Sequence, residues 1–285
     1  MRLRTVKFQS AFIGLALLAA GPALAASKHT SPHSEVTLVS EQSSVDPSGT
    51  VWLGLHIRTK PGWHTYWQNP GDSGQATRIS WSLPDGVSAG DIRWPLPQKF
   101  SLGPVSGFGY KDETLLMVPV SVGKNVKAWE SVTVTAEAGW LVCAEVCIPE
   151  QAKLTLSLPV GSGTETLVAP LFSKYRATVP VDPPIRGEGV QTEDSIRISA
   201  GLPAAITATA DKLTFFPATV GAVDASVPMK ITVDGRKIGI TAAPGFLAED
   251  SKLTKLDGVL IVNATRDGKS TRMGYTLTAG FKPGF

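Results

Sequence analysis

Two thiols are available to this chain of 285 residues, Cys143 and Cys147, four positions apart in Gly139-Trp140-Leu141-Val142-Cys143-Ala144-Glu145-Val146-Cys147-Ile148-Pro149-Glu150. An even cysteine count in an exported protein ordinarily means a disulfide. A bridge here would close a ring of about five residues, for which the loop-entropy contribution is only ~2 kcal/mol, against ~4–5 kcal/mol for a ring of a hundred. A chain long enough to bury its own core hardly needs so weak a staple. Short-range pairs on a strand-to-turn segment suit thiol exchange instead, with one thiolate attacking and the other resolving. A third chemistry is a metal site joining Cys143 and Cys147 to His56 and His64, a donor set sound for zinc or copper. Spacing alone leaves exchange, staple and metal site open.

Other chemistries find less support. The chain contains no HExxH, and no phosphate-cradling glycine loop lies between a strand and a helix. A cysteine nucleophile of the protease type would not ordinarily have a second thiol four residues away. No flavin-, quinone- or nicotinamide-binding pattern is present, so no cofactor is expected.

The elements around these residues follow from the rest of the chain. Arg2, Arg4 and Lys7 precede the apolar run Ala11–Ala20, and Ala23-Leu24-Ala25 is a small-x-small cleavage site. Residues 1–25 therefore read as a secretory signal peptide, and the style of the signal points to a bacterial periplasm. No stretch approaches the ~20 apolar residues of a spanning helix, so the exported chain is not expected to span a membrane. The leader holds three of the 27 basic residues and none of the 24 acidic ones, which leaves the remainder balanced. A balanced chain lacks the basic face that nucleic acid or an anionic membrane would require.

Glycine and proline punctuate short segments rich in Val, Thr, Ile and Leu, the pattern of an all-β protein. We expect two immunoglobulin-like β-sandwich domains in tandem: a cysteine-bearing sandwich over 26–160, a linker over 161–189, and a second sandwich over 190–285. Residues 26–34 read as a frayed polar terminus, with His29 and His33 solvated or binding a metal. Trp63–Trp67 reads as an aromatic strand and Gln68–Gly74 as a loop. Pro95–Tyr110 shows neither helical nor strand period, and a loop that long in a compact domain is often a lid. Within the linker, Thr166–Thr178 suits a short helix. The second sandwich has no cysteine, no histidine and no catalytic constellation.

The cysteine segment, together with Pro61-Gly62-Trp63-His64-Thr65-Tyr66-Trp67, Asn69-Pro70-Gly71-Asp72-Ser73-Gly74, Trp94-Pro95-Leu96-Pro97 and Gly109-Tyr110, resembles the N-terminal periplasmic domain of the DsbD/ScsB thiol:disulfide interchange proteins. The resemblance covers residues 35–160. It implies an immunoglobulin-like fold whose cysteine pair takes electrons from a thioredoxin-like protein or a membrane donor of DsbD/ScsB type and passes them to oxidised periplasmic proteins. Cys147 would form the intermolecular disulfide and Cys143 would resolve it. A cap loop would shield the pair. That loop maps to Pro97–Tyr110, with Phe100, Leu102 or Phe108 as the covering residue and Tyr110 at its end. His64 and Tyr66 map to the aromatic positions beside the cysteines, and Glu145 between the thiols would tune thiolate formation. Full-length relatives continue into membrane and thioredoxin domains, whereas this chain is expected to act as a separate soluble component. The rival expectation is a non-enzymatic periplasmic binding or adaptor protein with a structural disulfide or a copper or zinc site.

Overall fold

The computed structural model describes residues 27–103, 105–126, 131–266 and 269–282; the expected signal peptide lies outside the described residues. In chain order the first half comprises β1 (Lys28–Thr30), β2 (Ser34–Ser40), β3 (Thr50–Thr59), β4 (His64–Gly71), β5 (Arg78–Ser82), β6 (Val87–Ala89), β7 (Gln98–Leu102), β8 (Val105–Lys111), β9 (Glu113–Val122), β10 (Ser131–Cys143) and β11 (Cys147–Pro159). Helix α1 (Ala169–Arg176) follows. The second half comprises β12 (Val181–Gln191), β13 (Ile196–Gly201), β14 (Leu213–Pro217), β15 (Lys230–Asp234), β16 (Lys237–Ala242), the short α2 (Phe246–Asp250), β17 (Lys255–Arg266) and β18 (Lys269–Phe281).

The first half is a β-sandwich. One sheet runs β1-β2-β3-β9-β6; the other runs β11-β10-β4-β8-β7, with β5 paired to β10. Alternation along the strands builds the interior, because successive side chains point to opposite faces. Val132, Val134, Ala136, Ala138, Trp140 and Val142 of β10 turn inward, against Leu53, Leu55 and Ile57 of β3 and Leu116, Val118 and Val120 of β9. Strand β9 is buried on its other face too. Leu115 and Met117 point outward there, and α1 covers them with Phe172 and Tyr175. The expected short helix is present, but it is docked rather than suspended in a linker.

The rest of that expected linker also differs. Val181–Gln191 is a strand despite Pro183 and Pro184; it pairs in parallel with β18 and antiparallel with β13. It thereby joins the two ends of a seven-stranded sheet, β14-β17-β18-β12-β13-β16-β15. That sheet encloses its own core, where Ile196, Ile198, Ile238 and Ile240 meet Leu256, Leu260 and Leu277. A tight turn joins β15 to β16: Asp234 pairs with Lys237 across Gly235, whose φ is 56°. The two halves share apolar contacts. Phe216, Ala225, Val259 and Ile261 of the second half belong to the same buried cluster as Trp67, Leu96 and Phe108 of the first.

Two segments read as loops are strands. Strand β4 continues through Asn69-Pro70-Gly71. The ladder with β8 is irregular between Tyr66 and Gly71, and Asn69 Oδ1 accepts the Gly71 N–H at 3.0 Å. Proline is tolerated at such an irregularity because no ladder donor is needed there. The second segment, expected to be an aperiodic lid, is the hairpin β7–β8, with Leu102 opposite Val105 and Gly103 at φ 63°. Its strand period is hidden because β8 carries glycine wherever another group approaches. A Cβ at Gly107 would lie 2.4 Å from the Phe100 ring, and one at Gly109 would lie 1.9 Å from the Thr65 carbonyl oxygen.

Candidate active site

Strands β10 and β11 form one long hairpin, and the cysteines are its last facing pair, Cys143 opposite Cys147. A three-residue turn closes it, with the Ala144 N–H donating to the Val146 carbonyl at 3.0 Å. The Cα atoms are 4.1 Å apart and the sulfurs are bonded as a disulfide. The two thiols have unequal surroundings. Cys143 follows Val142 on the opposite face of β10, where it packs with Tyr66 and Phe100 and is fully buried, whereas Cys147 is exposed.

Strand β4 supplies the wall beside them. His64 is opposite Cys143 in the β10–β4 register. Tyr66, two residues on, shares its face, and its hydroxyl is 3.6 Å from Cys147 Sγ. Both side chains are buried. Burial, with a smaller push from the Lys111 ammonium, lowers the His64 imidazole to about 4. It is therefore neutral near pH 7, and its Nε2 has no hydrogen-bond partner among the described residues. Burial raises the Tyr66 phenol, which stays protonated and able to donate.

Phe100 of β7 lies over this wall. Its ring centroid is 4.2 Å from that of His64 and 5.9 Å from that of Tyr66, and it shares a buried cluster with Tyr66 and Cys143. Among the covering candidates, Phe100 is the one beside the cysteines. Phe108 points the other way, edge-to-face on Phe216 at 5.1 Å. Tyr110 is buried in the main core and donates to the Pro95 carbonyl at 2.8 Å. The Leu102 side chain lies outside the described residues. Glu145 is exposed in the turn between the thiols.

The four-ligand metal set is not assembled. His56 belongs to the other sheet, where its Nε2 meets Glu113 at 2.8 Å. The N-terminal segment is not frayed either. His29 lies edge-on to Trp140 and the His33 ring lies 4.3 Å from that of Trp63. Glu150, three residues past Cys147, anchors this segment. It accepts from the Ser31 and Ser34 hydroxyls and from Trp140 Nε1, and it meets His33 Nδ1 at 3.1 Å. Burial alone would raise the Glu150 carboxyl; those hydrogen bonds outweigh it and hold the group below its ordinary value. Sequence reasoning had no signal for this role, because Ser31 is 119 positions from Glu150.

The first-half sandwich thus carries at a hairpin tip a cysteine pair with one sulfur buried and the other exposed, walled by a tyrosine hydroxyl and covered by a phenylalanine. Residues 35–159 match the family described as Thiol:disulfide interchange protein DsbD, N-terminal. Over that segment the chain is similar to the DsbD N-terminal family. Among solved structures, the crystal structure of the N-terminal periplasmic domain of ScsB from Proteus mirabilis aligns over 90% of this chain and 100% of its own, with a TM-score of 0.63 at 20% identity. A marsupial T cell receptor aligns over 87% of this chain and 98% of its own at 10% identity, but its TM-score of 0.18 carries no argument. No curated protein matches the chain. No helix among the described residues is long and apolar enough to cross a membrane.

Proposed function

We propose that the chain is a periplasmic electron shuttle that relays reducing equivalents through Cys143–Cys147, from a thioredoxin-like dithiol to oxidised partner proteins. The single observation that carries this reading is the asymmetry of the pair, one sulfur fully buried and the other exposed beside a tyrosine hydroxyl. In the loading step a donor thiolate attacks Cys147 Sγ. The Cys143–Cys147 bond breaks, Cys143 leaves as thiolate and takes up a proton, and a donor–Cys147 disulfide forms. The donor's second thiolate then displaces Cys147, leaving the donor oxidised and this chain a dithiol. Discharge is the reverse sequence on an oxidised acceptor: the Cys147 thiolate attacks, and Cys143 resolves. Two electrons and two protons pass in each direction. Tyr66 donates a hydrogen bond to the Cys147 thiolate in both steps. Phe100 limits access, so that small oxidants and stray thiols react slowly.

The test uses reduced thioredoxin as the probe. Mixed with the oxidised chain, quenched with acid, alkylated and weighed, it should lose two thiols while the chain gains two. Failure of thioredoxin and of glutathione to reduce the folded chain would assign the bond to a staple and overturn the shuttle.

A further inference from the structure

We infer that the second half of the chain holds the cap hairpin closed through a two-sided clamp on Ala225. The hairpin β7–β8 has a front and a back. Phe100 on the front covers the cysteine pair; Lys99, its neighbour in sequence, must point the opposite way in a strand. Lys99 Nζ donates to the Ala225 carbonyl at 2.7 Å. The N–H of the same residue donates to Asp72 Oδ1 at 2.8 Å. Asp72 Oδ2 in turn accepts the N–H of Ser106, on the second strand of the hairpin, at 2.8 Å, and the Asp72 N–H donates to the Ser106 carbonyl at 3.0 Å. Both backbone groups of one buried residue are thus held by opposite charges, one on the hairpin and one bonded to it. Hydrogen bonds with one ionised partner are the stronger kind.

The surroundings reinforce the clamp. Phe108 of β8 seats its edge on Phe216, and the Arg272 guanidinium donates to the Pro97 carbonyl, just before the hairpin begins, at 2.9 Å. Ala225 is 1% exposed. None of these groups touches the disulfide. Lys99 and Asp72 are therefore positioning residues: they act on Cys147 only through where the hairpin holds Phe100. The second half is then a latch on the redox site, and it sets how often the disulfide is uncovered. The reason for a latch rests on the shuttle reading, but the test does not, because it needs no protein partner.

The experiment measures the rate at which dithiothreitol reduces the Cys143–Cys147 disulfide in the full chain. Lys99→Met keeps the aliphatic stem and removes the donor; Asp72→Ala removes the other arm; Lys99→Arg restores a donor. Losing a charged hydrogen bond should raise the rate roughly fivefold in Lys99→Met, more in the double variant, and little in Lys99→Arg. Each change is repeated in a Phe100→Ala background, where the cap is already gone and the clamp variants should add nothing. Lys99 is exposed, so Lys99→Met decides the matter alone should Asp72→Ala fail to fold. An unchanged rate in Lys99→Met, or an acceleration that persists undiminished without Phe100, would overturn the clamp. A fall in melting temperature unaccompanied by faster reduction would also overturn it, leaving these bonds merely structural.

Discussion

Replacing His64 by phenylalanine should abolish a specific part of the acid sensitivity of this protein. The imidazole is 4% exposed, is lowered from 6.5 to about 4, and has an Nε2 without a partner among the described residues. A group whose folded value is depressed binds protons more readily when the chain unfolds, so stability falls as pH drops through the window from 6.5 to about 4. At about pH 5 the unfolded ring is charged and the folded ring is neutral. About 1.5 pH units of linkage have then accumulated, or ~2 kcal/mol at ~1.36 kcal/mol per unit. Phenylalanine keeps a ring against Phe100 and removes both the titration and the unsatisfied nitrogen, so the variant should be at least as stable near pH 7. The assay is urea unfolding of the two oxidised proteins at about pH 7 and about pH 5. The stability difference, wild type minus variant, should become more negative by ~2 kcal/mol on acidification. Subtraction cancels the other histidines. Glu113 does not intrude: its hydrogen bond from Lys174, which outweighs the opposing burial, and one from His56 lower it to about 2. Its contribution is therefore lost only below its ordinary value of 4.5. Equal pH slopes in the two proteins would refute the argument and mean that water reaches His64.

Three further outcomes follow from the same geometry. Gly107→Ala places a methyl 2.4 Å from the Phe100 ring without demanding a forbidden backbone; the ring must lift, and dithiothreitol reduction should accelerate while the hairpin persists, as read by circular dichroism and rate. Tyr66→Phe removes the donor 3.6 Å from Cys147 Sγ and should raise the Cys147 thiol by about one pH unit, given ~1.5 kcal/mol for a charge-assisted bond; iodoacetamide alkylation against pH in a Cys143→Ala background reads this directly. Glu150→Gln weakens the anchor of residues 28–34, costing ~1–3 kcal/mol in urea unfolding near neutral pH and raising hydrogen exchange in β1; because the carboxyl is held below its ordinary value, this loss should shrink as pH falls through that lowered value.

What the sequence disclosed and what it hid have physical causes. The thiols, the aromatic strand and the position of the cap were legible because they are contiguous stretches with distinctive side chains. Phe100 could not be told from Phe108 because glycines 107 and 109 erase the alternation that would reveal which face each residue occupies. The Glu150 anchor was hidden because Ser31-Pro32-His33-Ser34 has the composition of coil, and its order comes from a carboxylate far along the chain. Strand β12 was hidden by Pro183 and Pro184, since its parallel pairing with β18 is set by tertiary contacts rather than propensity. His56 and His64 share a residue type but occupy different sheets, and only the strand register separates them. The clamp on Ala225 joins side chains to backbone groups, which carry no sequence signature.

The most direct measurement compares the two single-cysteine variants, Cys143→Ala and Cys147→Ala, in their reaction with glutathione disulfide under native conditions, followed by intact mass. The account predicts that Cys143→Ala, which keeps the exposed Cys147 beside Tyr66, acquires one glutathione at least about tenfold faster than Cys147→Ala, whose remaining thiol is buried. Equal rates, or faster reaction of Cys143, would contradict the assignment of Cys147 as the exchanging sulfur.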